Sequence, residues 1–141
     1  MAGTALRING QSAMNGTTSI FFDTCAILKL LDEQYDLPSL GINVDEAQFL
    51  TSVIVRMELL SKGQMTDNEE RGILNFLDDL MVIPLNEAIE QKAIELRRST
   101  KLKLPDSIVA ATSIILDAIL LTDDGHLLNL SWPGLQTQNI R

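Results

Sequence analysis

At 141 residues, 45% of them hydrophobic, the chain can build the core of one compact domain and is too apolar for a disordered one. A formal net charge of −8 excludes a protein that coats nucleic acid through bulk positive charge. One cysteine, Cys25, and one histidine, His126, exclude an internal disulfide and a Cys/His zinc cage, and a reducing, cytoplasmic compartment fits.

Residues 1–18 are mostly Gly, Ala, Ser, Thr and Asn, without the basic start and apolar centre of a secretory signal. They read as a flexible lead-in, with the folded domain at 19–141. Ser19 to Asp23 is a short buried strand, and Thr24 caps a helix through Ile27, Leu28, Leu30 and Leu31. Gln34 to Glu46, with Pro38, Gly41 and Asn43 and no clear period, is a loop. Phe49 to Thr51 is a brief extended piece, followed by a helix from about Val53 to Lys62 that Gly63 ends.

Thr66 and Glu69 have capping-box spacing ahead of Ile73, Leu74, Leu77 and Leu80 at helical intervals. Met81 to Leu85 suits a buried strand, and Asn86 caps a helix with Ile89, Ala93 and Leu96 on one face. Leu104-Pro105 opens a central helix, apolar nearly all round from Ile108 to Leu116. The segment Ile108 to Leu121 is interrupted by Thr112, Ser113 and Asp117 and is too short to span a membrane, so no membrane association is expected. Ala118 to Leu121 is the final strand, closing at a Thr122-Asp123-Asp124-Gly125 turn. Strands alternating with helices predict one α/β domain, its mostly parallel sheet covered by helices on both faces.

In such sheets sites form beyond the carboxyl ends of strands, and two strands here end in aspartate, at Asp23 and at Asp123-Asp124. Singly the acids have ordinary explanations. Asp23 can be a cap, Asp106 a favourable charge in a helix's first turn, and Asp124 part of an Asp-Gly turn. Glu58 can pair with Lys62 four residues later. Read in order, Phe-Phe-Asp-Thr before an apolar helix, Val-Arg-Met-Glu-Leu-Leu, Leu-Pro-Asp-Ser-Ile-Val-Ala-Ala and Leu-Leu-Thr-Asp-Asp carry more. With these motifs the chain resembles the PIN-domain ribonucleases from about Ser19 onward, and most of all the compact toxins of VapBC toxin-antitoxin systems.

The resemblance implies that Asp23, Glu58 and Asp106 are the three core acids and that Asp124 is the acid of a Thr-x-Asp element headed by Thr122. It further implies RNA as substrate, products with 5′-phosphate and 3′-hydroxyl ends, a homodimer, and a small antitoxin partner. Crowded carboxylates disfavour ionisation, and a divalent cation relieves that repulsion. Oxygen donors favour Mg2+ or Mn2+, which leaves room for a phosphate oxygen and an attacking water. The expected chemistry is in-line hydrolysis, with Asp23, Asp106 and Asp124 as direct or water-bridged ligands and Glu58 as ligand or water-orienting base.

Cys25 departs from the family, which often has Asn or Ser there; it reads as a small buried side chain, and His126 as a surface or supporting residue. Arg97, Arg98, Lys101 and Lys103 form a basic strip just before Asp106, either contacting RNA phosphates or simply ending a helix where cations are favoured. A catalytically silent PIN-like scaffold for RNA or protein is the alternative function. A haloacid-dehalogenase-type phosphatase would want a second acid where Cys25 stands. A receiver domain would want paired acids before the first helix and a lysine after a late strand, and neither is evident.

Overall fold

The computed structural model describes residues 17–141, so nearly all of the expected lead-in lies outside the described residues. The chain runs β1 (Thr18–Phe22), α1 (Thr24–Leu31), β2 (Ala47–Ser52), α2 (Val53–Leu60), α3 (Asp67–Asp78), β3 (Met81–Ile83), α4 (Glu87–Ser99), α5 (Leu104–Ile115), β4 (Ile119–Thr122), α6 (Gly125–Leu128) and β5 (Gln136–Asn139). The five strands form one wholly parallel sheet in the order β3-β2-β1-β4-β5. Among the described residues six helices flank it, as the alternation of elements predicts.

Consecutive side chains of a strand point to opposite faces, so a strand buried at every position has both faces covered. Ile20, Phe21 and Phe22 of β1 are all buried, and so is every residue of β2. Phe22 packs edge-on against Phe76 of α3 and tilted against Phe49 of β2. On α5 every residue from Ser107 to Ser113 is buried, and α4 packs along it. The hydroxyls of Thr112 and Ser113 donate to the carbonyls of Ile108 and Val109 within the helix, which lets two polar residues sit in the core.

Several boundaries differ from expectation. The helix expected to reach Lys62 ends at Leu60. The loop 34–46 contains two short 3-10 turns, at Pro38–Leu40 and Val44–Glu46. β2 begins earlier than Phe49 because Ala47 and Gln48 pair with Thr18 and Ser19 of β1, where the Gln48 side-chain oxygen also accepts from the Ser19 hydroxyl. The last expected strand is shifted to Ile119–Thr122 and is not the last. Gln-Thr-Gln-Asn of β5 has no apolar run to reveal it, and it joins as a partly exposed edge strand through backbone pairing to β4. Among the described residues no helix is long and apolar enough to cross a membrane.

Candidate active site

From β1 the chain builds outward through β2 to β3, then returns to the other side of β1 for β4 and β5. The boundary between β1 and β4 is therefore the topological switch point, where connections leave in opposite directions and a crevice opens beyond the strand ends. Phe22 and Leu121 are partners in the register there. Asp23 follows the first strand and Asp123-Asp124 the second, so the topology places both acidic ends beside this crevice.

Asp23, not Thr24, is the N-cap of α1: its Oδ1 accepts from the Thr24 amide at 2.8 Å. Its Oδ2 accepts from the buried Thr122 hydroxyl at 2.7 Å. That hydroxyl in turn accepts from the Asp124 amide at 3.0 Å, so one side chain ties the end of β1 to the turn after β4. Burial raises the carboxyl of Asp23, the bonds from Thr122 and Thr24 oppose the rise, and the nearby charges of Asp124 and Glu58 add to it.

Cys25, expected to be buried, is half-buried. Its sulfur lies 3.8 Å from Asp23 Oδ2 and 3.7 Å from the Thr122 hydroxyl, and accepts from the Asp123 amide at 3.5 Å. Burial pushes the thiol up to about 12, which keeps it protonated and unsuited to nucleophilic work.

Glu58 is not paired with Lys62. Its Oε1 accepts from the Thr24 hydroxyl at 2.9 Å, which links α2 to the start of α1. Asp106 stands in the first turn of α5, and its carboxylate accepts no hydrogen bond among the described residues. Its carboxyl is pushed up to about 6, first by partial burial and then by the charges of Asp124, Asp23 and Glu58, with His126 opposing. Asp124 does not end in a simple turn: its Oδ1 accepts from the His126 amide at 2.8 Å and caps α6. Asp123 points elsewhere. Its Oδ2 lies 2.6 Å from Lys29 Nζ, and that bond holds its carboxyl below the ordinary value.

Charges from segments distant in sequence thus reach Asp106, raised by Asp124, Asp23 and Glu58, and Asp23, raised by Asp124 and Glu58. Sequence reasoning overlooked the Thr24 hydroxyl and Lys29, whose partners lie far along the chain and leave no local spacing signal. Among the described residues no three His, Cys, Asp or Glu side chains are grouped to hold an ion directly. The donor chemistry nonetheless fits a hard divalent cation bound partly through water, since Mg2+ keeps several waters and takes only one or two carboxylates. An acid at about 6 with no hydrogen-bond donor of its own is the chemistry such an ion would satisfy.

The raised acids set a pH dependence for the metal-free protein. Between about 4 and about 6 folded Asp106 keeps a proton that the unfolded chain, near the ordinary aspartate value of 3.8, has released. Native protein then binds more protons, so stability falls as pH rises through this window and levels off above it. Melting temperatures in chelator should show that fall, and millimolar Mg2+ or Mn2+ should restore stability chiefly above about pH 6. A metal-free profile that rises from pH 4 to 6, with no cation response, contradicts this electrostatic picture.

The basic strip is divided by the structure. Arg97 and Arg98 lie in the last turn of α4, and Lys101 and Lys103 in the link to α5; all four are exposed. Arg97 nevertheless donates to the Leu102 carbonyl at 2.8 Å, so it fastens the link leading to Asp106.

The domain model for PIN matches residues 20–133, which includes all four acids. Among solved structures, the chain is similar to one in VapBC2 from Rickettsia felis bound to a DNA fragment from its promoter. That match has a TM-score of 0.74 and 19% identity, and covers 88% of this chain and 100% of the other. A chain of DNA-bound VapBC from Salmonella typhimurium matches with a TM-score of 0.68 and 17% identity, over 86% and 98% of the two chains. VapBC-5 from Mycobacterium tuberculosis, of the VapBC family of toxin-antitoxin systems, matches with a TM-score of 0.62 and 18% identity, over 88% and 98%. No curated protein matches by sequence. The solved structures share the fold, the domain model spans β1 to beyond α6, and on that basis the chain belongs to the PIN domain family.

Proposed function

We propose that this PIN domain is a Mg2+- or Mn2+-dependent endoribonuclease, the toxin of a toxin-antitoxin pair, acting through Asp23, Glu58, Asp106 and Asp124. The observation that supports the reading is the raised carboxyl of Asp106 beside the β1–β4 switch point, where the charges of Asp124, Asp23 and Glu58 add to its partial burial. A bound cation would supply Lewis-acid activation of the scissile phosphate and of an attacking water. Asp23, Asp106 and Asp124 would hold it, directly or through water. Glu58, oriented through Oε1 by Thr24, would accept the water's proton at Oε2.

Net negative charge opposes RNA, so substrate phosphates need local cations. Arg98, Lys101 and Lys103 supply them beside the entrance to α5. Arg98→Ala should weaken RNA binding across sequences and lower the salt slope by about 0.7, the value for one lost single-strand phosphate contact. Arg97→Ala should also lower the melting temperature, because the Leu102 carbonyl loses its donor. Binding titrations at several salt concentrations check both, and an unchanged slope for Arg98→Ala makes the strip only a solvated helix end.

The similarity to VapBC structures supports a small antitoxin as partner, and the resemblance to their toxins a homodimer in a cytoplasmic setting. Incubating the purified chain with total RNA, with Mg2+ or Mn2+ and then with chelator, tests the activity. Discrete fragments with 5′-phosphate ends, lost in chelator, are expected. Binding of RNA without cleavage in either metal would establish the silent scaffold instead.

A further inference from the structure

Two acids adjoin at the end of β4, and one is held by an unusual number of contacts. The Asp123 amide donates to Cys25 Sγ, its carbonyl accepts from Arg141 Nη2 at 2.8 Å, and its carboxylate meets Lys29 Nζ at 2.6 Å. Every polar group of Asp123 is engaged. Of these contacts the sulfur one is long and weak, while the ion pair is short, and its two side chains are only 27% and 26% exposed. Lys29 sits on α1, the helix that Asp23 caps. The same rigid helix therefore carries the cap acid at one end and the cation that fixes the opposite turn.

We propose that Lys29 is a positioning residue, anchoring Asp123 so that the next residue, Asp124, is the acid presented to Asp23 and Asp106. The inference rests on the reading of these acids as a cation site. In support, the Asp124 amide is tied through the Thr122 hydroxyl to the carboxylate of Asp23, whereas the Asp123 carboxylate is turned to Lys29. A lysine beside a cation site is unfavourable on Coulomb grounds alone, so its placement needs a compensating role. Holding the turn supplies one.

That opposition of signs gives the test. Mn2+ affinity is measured by calorimetry on the metal-stripped full chain, wild type, Lys29→Arg and Lys29→Gln. Removing a positive charge should tighten Mn2+ binding if Lys29 acts only through its field. If it positions the turn, Lys29→Gln weakens binding roughly three- to fivefold, the upper range that a partly exposed ion pair transmits, and Lys29→Arg restores it. Amide NMR shifts of Thr122 and Asp124 in the metal-free proteins should move in Lys29→Gln and return toward wild type in Lys29→Arg. Tighter or unchanged Mn2+ binding by Lys29→Gln, with unmoved shifts, overturns the positioning role while leaving the cation site standing. Failure of the wild type to bind Mn2+ overturns both.

Discussion

Asp124→Asn should lower single-turnover RNA cleavage at least as much as the roughly 10- to 100-fold that losing an outer-shell partner of a metal ligand costs. Asp123→Asn should keep most of the activity. Adjacent residues at a strand end project in different directions, and here the partners of each carboxylate are known. Asp123 lies against Lys29, whereas Asp124 opposes the ionisation of Asp23 and Asp106. An Asn at 124 keeps an oxygen to cap α6, so the fold should survive while the charge is lost. An Asn at 123 keeps an acceptor for Lys29. Inactive Asp123→Asn beside fully active Asp124→Asn would reverse the assignment.

The second large effect is expected at Thr122, whose hydroxyl both donates to Asp23 and accepts from the Asp124 amide. Thr122→Val preserves shape and removes both bonds. Leaving a buried charged acceptor without its partner costs about 1–3 kcal/mol, so urea unfolding should show a loss of that order. The Asp23 carboxyl should rise further, because the bond that opposes its rise is gone. Cleavage should fall with it, since both acids lose the tie that sets their spacing. Thr122→Ser keeps the hydroxyl and should recover most of the stability. Equal stability of the Val variant and wild type would show that this hydroxyl is replaceable.

What was legible in the sequence was whatever a local pattern encodes. The capping box at Thr66 and Glu69 forms with both its bonds, Asn86 caps α4, and Pro105 sits in the first turn of α5. The PIN family was legible because four motifs stand in a fixed order along the chain. What was hidden depends on tertiary contact. β5 has an edge strand's polar composition, and Glu58, locally a partner for Lys62, is taken by Thr24 from another helix. Lys29 had no local mark either, since its partner lies across the crevice on the turn after β4.

The central claim is that the acids at the β1–β4 switch point hold a divalent cation. Anomalous diffraction from crystals soaked in Mn2+ addresses it most directly. The account predicts one or two anomalous peaks within ligand or single-water reach of Asp23, Asp106 and Asp124, absent from crystals of Asp124→Asn. Peaks confined to other surface acids, with none at this crevice, would contradict it.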